Sequence, residues 1–191
     1  MGEPGGFIKR FTDILFSIVV LIITFPILLI SALAIKLDSK GPVFFVQERT
    51  GLNGESFRMI KLRGMVKNAS EIGPPLTQVN DPRVTRVGKF LRRTSIDEIP
   101  QVINVLKGEM SLIGPRPEIV SITETYTEEQ RKVFKFKPGI TGYSQVNGRQ
   151  TLTPEKRIKM EVEYYSKANF WSDLKITFST FKVVLNNEGN I

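Results

Sequence analysis

Apolar and polar positions divide this chain unevenly. Residues 14–35 read ILFSIVVLIITFPILLISALAI, 22 consecutive positions without a charge. As a straight helix rising about 1.5 Å per residue, the run reaches roughly 33 Å, one hydrocarbon thickness of a bilayer. Its small residues, Ser31, Ala32 and Ala34, are scattered among large apolar ones, so it reads as a retained anchor rather than a cleaved signal. Two features complicate a simple span. Pro26 stands near the middle, where its ring removes a helix hydrogen bond, and both flanks are basic, with Lys9 and Arg10 before the run and Lys36 and Lys40 after it. A kinked single-pass helix fits this pattern. So does a re-entrant hairpin broken at Pro26, which brings both basic flanks to anionic headgroups on one face.

Beyond the turn-forming Asp38-Ser39-Lys40-Gly41-Pro42, the period changes. Val43-Phe44-Phe45-Val46 reads as a strand, Gly51-Leu52-Asn53-Gly54 reverses the chain, and 57–62 predicts the second strand of a short β-hairpin. A polar loop follows over 68–82, with Gly73-Pro74-Pro75 and Asn80-Asp81-Pro82. Helices are predicted at 84–93, 98–107, 128–136, 154–167 and 173–186. Thr127-Glu128-Glu129-Gln130 is a capping box, and Thr153-Pro154 an N-cap followed by proline at the first helical position. Ile158, Val162 and Tyr165 form one apolar stripe, and Leu174, Phe178, Phe181 and Leu185 another, suited to a core or to packing on a membrane surface. The expected fold is α/β and mostly helical: an anchor over 1–40 and a single domain over 41–191, built from a β-hairpin and amphipathic helices.

Composition narrows the chemistry. The 191 residues contain no cysteine and no histidine, which excludes disulfides, Cys nucleophiles, His-based triads and Cys/His zinc sites. Acid–base or covalent steps must use carboxylates, lysine, tyrosine or hydroxyls. A net charge of +8 implies an anionic partner, whether nucleic acid, lipid headgroups or a phosphorylated substrate.

One segment concentrates suitable groups. In RRTSIDEIPQVINVLKG, Pro100 belongs in a first helical turn and Gly108 ends the helix, so Asp97 and Glu98 lie at its positive end. Ser95-Ile96-Asp97-Glu98 also matches an S-x-x-E capping box, a purely structural use of the same residues. Against that stand Arg92 and Arg93 just upstream, and Arg116 held extended between Pro115 and Pro117. Paired carboxylates among guanidinium groups suit metal-assisted phosphoryl transfer. Gln145, Asn147 and Arg149, in a glycine-rich stretch over 137–149, offer amide and guanidinium groups to a base, sugar or phosphate. Neither G-x-G-x-x-G nor a Walker sequence occurs.

Taken together, LDSKGPVFFVQERTG, TRVGKFLRRTSIDEIPQVINVLKGEMSLIGPRPE and KPGITGYSQVNGR resemble the bacterial sugar transferase family, the monotopic phosphoglycosyl transferases, from residue 7 to about 185. The resemblance implies transfer of a sugar 1-phosphate from a UDP-sugar to polyprenol (undecaprenyl) phosphate, with Mg²⁺, on the cytoplasmic face of the bacterial inner membrane. It matches Asp97 to the family's nucleophile and a metal ligand, and Glu98 to its dyad partner. Arg92 and Arg116 match phosphate-binding arginines, and Lys61 lies in the K-x-R-x-M segment. Gln145, Asn147 and Arg149 fall near the nucleotide. Pro26 matches the break of a re-entrant helix, which favours the hairpin and makes membrane lipids a partner. Phe25, Gly64 and Tyr143 depart from the family's usual small Ser, Ser or Thr, and Trp. The resemblance implies no nucleic-acid partner and is compatible with a homo-oligomer. Two other readings compete with it. The first is a membrane-tethered nucleic-acid binder, motivated by the charge although no aromatic or helix-turn-helix motif accompanies it. The second is a non-catalytic assembly protein, which the intact carboxylate pair argues against.

Overall fold

The computed structural model describes residues 6–74, 76–78, 80–147 and 153–185. The long apolar segment forms one helix, α1 (Gly6–Asp38), long and apolar enough to cross a membrane. Pro26 does not interrupt it. The ring costs this helix one backbone bond, yet the apolar turns on either side gain by staying helical because no water is available to their carbonyls. The Thr24 hydroxyl donates to Val20 O at 2.7 Å in the turn just before the proline.

The β-hairpin forms as expected and is longer. β1 (Phe44–Thr50) pairs antiparallel with β2 (Ser56–Leu62), Phe45 opposite Lys61 and Thr50 opposite Ser56. Its turn needs Asn53 and Gly54 at positive φ, 56° and 83°, which suits both residue types. The outer edge of β2 is closed by a side chain: Asn104 accepts from Ile60 N at 3.0 Å and donates to Arg58 O at 2.8 Å.

α2 (Arg86–Arg93) starts at Thr85, whose hydroxyl accepts from Gly88 N. A 3-10 segment, Ile96–Gln101, then leads into α3 (Val102–Lys107), which stops at Gly108 with φ 89°. The helix expected from 98 is therefore 3-10 in its first part. Next come β3 (Ser111–Ile113), α4 (Val120–Thr123), α5 (Glu128–Arg131) with a 3-10 extension over Lys132–Lys135, β4 (Gly139–Thr141), α6 (Tyr143–Val146), α7 (Pro154–Tyr165) and α8 (Phe170–Leu185). The capping box at Thr127 has both of its bonds. α8 begins before the predicted 173 because Asn169 Oδ1 accepts from Trp171 N and Ser172 N. β3 and β4 form a parallel pair that periodicity does not predict, since each strand offers only three residues.

The body is assembled around α1, and polar residues near both of its ends are bonded to it. Lys9 pairs with Asp173 of α8, and Arg10 donates to Val105 O and Leu106 O at the end of α3. These two basic residues, expected at lipid headgroups, instead hold the helix to the body, while Lys36 and Lys40 are exposed. Asp13, only 6% exposed, accepts from Leu112 N of β3 at 3.2 Å. At the other end Asp38 accepts from Val87 N of α2 at 3.1 Å, and Arg63, just past β2, donates to Ser39 O at 2.8 Å and Lys40 O at 3.0 Å. Ile35 packs on Leu62 and Leu91.

One close approach in this assembly is between α2 and the chain after β2. A Cβ at Gly88 would lie 2.0 Å from Gly64 O. In a free helix Gly88→Ala would gain about 1 kcal/mol from propensity; here the backbone must shift, at a cost of about 1–3 kcal/mol. Gly88→Ala is therefore expected to lower the thermal midpoint of the detergent-solubilised protein. A raised midpoint would show that the two segments are not in contact.

Candidate active site

The ends of four elements converge. β2 carries Lys61, the last turn of α2 carries Arg92, the 3-10 segment carries Asp97 and Glu98, and the extended chain after β3 carries Arg116. Glu98 Oε1 accepts from Lys61 Nζ at 2.8 Å and from Arg116 Nη2 at 3.2 Å, so one carboxylate oxygen ties three of these elements together. Arg92 Nη1 donates to Thr77 Oγ1 at 3.0 Å and reaches Asp97 electrostatically. Gly64, where a larger residue was expected, leaves room here: a Cβ would lie 3.1 Å from Arg92 Nε.

Asp97 is held at a cost. It is 8% exposed, and among the described residues no donor hydrogen-bonds its carboxylate. Burial pushes its pKa up, as does the neighbouring charge of Glu98, while Lys61, Arg92 and Arg116 pull it down. Ser95 adopts φ 57° and its side chain makes no capping bond, so the capping-box reading of Ser95-Ile96-Asp97-Glu98 does not hold. A non-glycine residue in the left-handed region costs about 1–3 kcal/mol, strain placed directly before the carboxylate pair. Burial lowers the Lys61 pKa against the opposing pull of Glu98. Burial acts on Arg116 in the same sense, but Glu98 and Glu118 outweigh it and hold the guanidinium pKa up.

Of the remaining predicted residues, Gln145 lies on α6 and lines the same cavity as Ser95 and Glu98. Its amide donates to Ile140 O at 2.8 Å, and its buried Oε1 has no partner among the described residues. Asn147 is not brought into the cluster; it is exposed and donates to Tyr143 O, one turn back. Arg149 lies outside the described residues.

Two groups escaped the sequence reading, the half-buried Arg49 and the buried Glu161. Arg49 Nη1 donates to Pro117 O at 3.2 Å, next to Arg116, and burial together with the Arg116 charge lowers its pKa to about 10. Glu161, on α7, accepts from Ser144 Oγ at 2.5 Å and from Arg116 N at 3.5 Å, joining the chain after β3 to α6. Glu161 was detectable in principle, since it falls among Ile158, Val162 and Tyr165 on an otherwise apolar stripe. Arg49 carried no such signal.

Two carboxylates face three cations, and the less exposed carboxylate has no hydrogen bond among the described residues. Such a site can receive a dianionic phosphate on the cations and present an oxygen nucleophile to it.

The sequence comparisons agree with this chemistry. A family model described as bacterial sugar transferase matches residues 5–187. The chain is 45% identical over 189 residues to the UDP-glucose:undecaprenyl-phosphate glucose-1-phosphate transferase of Escherichia coli (strain K12), covering 94% of this chain and 40% of that protein. It is 42% identical over 192 residues to the UDP-N-acetylgalactosamine-undecaprenyl-phosphate N-acetylgalactosaminephosphotransferase of Aeromonas hydrophila, covering 96% and 45% respectively. The uncharacterized sugar transferase EpsL of Bacillus subtilis (strain 168) is 40% identical over 182 residues, covering 95% of this chain and 89% of EpsL. The chain thus spans less than half the length of the first two relatives.

The raised pKa of Asp97 has a consequence for stability. A carboxyl that holds its proton more tightly when folded than when unfolded destabilises the native state once pH exceeds the folded pKa, and the cost disappears below the unfolded value near 4. Asp97→Asn is therefore expected to melt at or above the wild-type temperature at pH 7, with the difference shrinking as pH falls towards 4. A substantially lower midpoint at pH 7 would assign Asp97 a structural role instead.

Proposed function

The chain belongs to the bacterial sugar transferase family, and on that premise we propose that it moves a sugar 1-phosphate from a UDP-sugar to polyprenol phosphate through an aspartyl intermediate. The observation that carries this reading is Asp97: a buried carboxylate with no hydrogen bond among the described residues, set among Lys61, Arg92 and Arg116. In the first step an Asp97 oxygen attacks the phosphorus that bears the sugar, and the bond from that phosphorus to the UMP oxygen breaks. In the second, a phosphate oxygen of the polyprenol phosphate attacks the same phosphorus, and the bond to Asp97 breaks. Lys61, Arg92 and Arg116 offset the charge of the phosphates, while Glu98 holds Lys61 and Arg116 at the spacing their bonds define.

Mg²⁺ fits this donor set in one way. Among the described residues no cluster of three acidic side chains exists that could cage an ion. Mg²⁺ is commonly held by one or two carboxylates with substrate phosphates and water, so a single oxygen of Asp97 together with the donor diphosphate meets its needs. Bound there, the ion would supply neutralisation of the diphosphate.

The bonding of α1 supports a reading of the membrane arrangement. Arg10 and Asp13 at one end and Asp38 at the other are bonded to the same body, whereas a spanning helix would send its ends to opposite faces. We therefore read 1–40 as an anchor that enters and leaves one leaflet, with Pro26 as its bend, and 41–191 as the transferase domain on the cytoplasmic face of the bacterial plasma membrane. Trp171, 70% exposed, with Phe178 and Phe181, gives α8 an apolar face suited to the bilayer surface.

The test is a panel of UDP-sugars with polyprenol phosphate and Mg²⁺, scored for UMP release. One sugar nucleotide should support turnover; Asp97→Asn and excess chelator should each abolish it. Near-normal turnover by Asp97→Asn would overturn the mechanism, and full activity in chelator would remove the metal from it.

A further inference from the structure

A cavity of about 650 Å³ joins the catalytic turn to the apolar exterior. Ser95 and Glu98 line it on the catalytic side, Phe16 and Val20 from α1, and Thr177 and Phe181 from α8. Phe16 and Phe181 are also 56% and 64% exposed, so the cavity opens where the two helices present apolar side chains outward. Its lining is mostly apolar. Polar groups, among them the Lys9–Asp173 pair, Asp13 and Gln145, also line it, but the surface it offers is largely apolar and suits hydrocarbon.

We propose, resting on the transferase reading above, that this cavity seats the isoprene units of the acceptor nearest its phosphate. The acceptor couples a charged end, which must reach Asp97, to a hydrocarbon chain that belongs in the bilayer. A passage lined by Glu98 at the site and by the bilayer-facing side chains of α1 and α8 meets both demands without exposing hydrocarbon to water. The volume falls in the ordinary range for small-ligand sites, roughly 300–1,000 Å³, so it takes the phosphate-proximal units and leaves the rest of a long chain in the membrane.

The inference separates two quantities that can be measured apart. Single-turnover UMP release from UDP-sugar without acceptor reports the first half-reaction and the integrity of the site. The acceptor KM, measured with water-soluble short-chain polyprenol phosphates of increasing length, reports the cavity. The KM should fall with each added isoprene unit until the cavity is filled and then stay level. A continued fall with length, or no dependence at all, would overturn the proposal.

Thr177→Trp, which fills the space from the α8 wall, should raise the acceptor KM roughly tenfold or more while the KM for UDP-sugar holds. An unchanged acceptor KM in a variant that still releases UMP would also overturn it. Should Thr177→Trp lose UMP release through misfolding, Val20→Phe narrows the same space from the opposite wall and is scored identically. If the wild type itself releases no UMP without acceptor, the covalent reading fails first, which is a different result from a cavity that does not bind isoprene.

Discussion

The structure depends on a single apolar helix being bonded to the body at both of its ends. α1 and the residues just after it are bonded next to each charged residue of the site: to α3, following the carboxylate pair, through Arg10; to β3, leading to Arg116, through Asp13; to α2, bearing Arg92, through Asp38; and, from Ser39, to Arg63 just past β2, the strand bearing Lys61. An Arg at the carbonyl end of α3 and a carboxylate at the N-H end of α2 each meet the partial charge a helix terminus exposes. The anchor is thus also the spine of the site. Burying four polar ties next to a bilayer-compatible helix is costly unless each is satisfied, and that cost makes the register of α1 against the body specific.

On that frame the charged cluster is arranged so that one carboxylate is satisfied and the other is not. Glu98 takes Lys61 and Arg116; Asp97, one residue earlier, has charged neighbours but no hydrogen bond among the described residues. The left-handed Ser95 and the 3-10 winding of Ile96–Gln101 set this difference, since they turn two consecutive side chains toward different neighbours. A destabilised carboxylate beside surplus cations is poor for folding and useful for reaction with a phosphate.

Much of this was legible in the sequence where a local rule governs. The hairpin, the capping box at Thr127, the proline start of α7 and the stop at Gly108 each follow from residue types acting on their own neighbours. The convergence of Lys61, Arg92, Asp97, Glu98 and Arg116 followed from motif company and family resemblance. What escaped depends on contacts between distant segments. Three-residue strands such as Ser111–Ile113 and Gly139–Thr141 are too short for a period, and they pair because Gly114 and Gly139 allow their backbones to meet. Lys9 and Arg10 carry the pattern of headgroup-binding flanks, and only the fold reveals their partners Asp173, Val105 and Leu106. Asn147, an amide in a glycine-rich loop, turned out to serve its own short helix.

The central claim is that Asp97 becomes covalently bonded to the phosphosugar. Intact mass measurement of the protein after mixing with its UDP-sugar and Mg²⁺, with no acceptor present, tests it most directly. The account predicts an added sugar phosphate on a fraction of the molecules, located by fragmentation to the peptide containing Asp97 and discharged on addition of polyprenol phosphate. An unmodified mass under conditions where complete mixtures turn over, with UMP appearing only once acceptor is added, would contradict it and establish direct transfer between the two substrates.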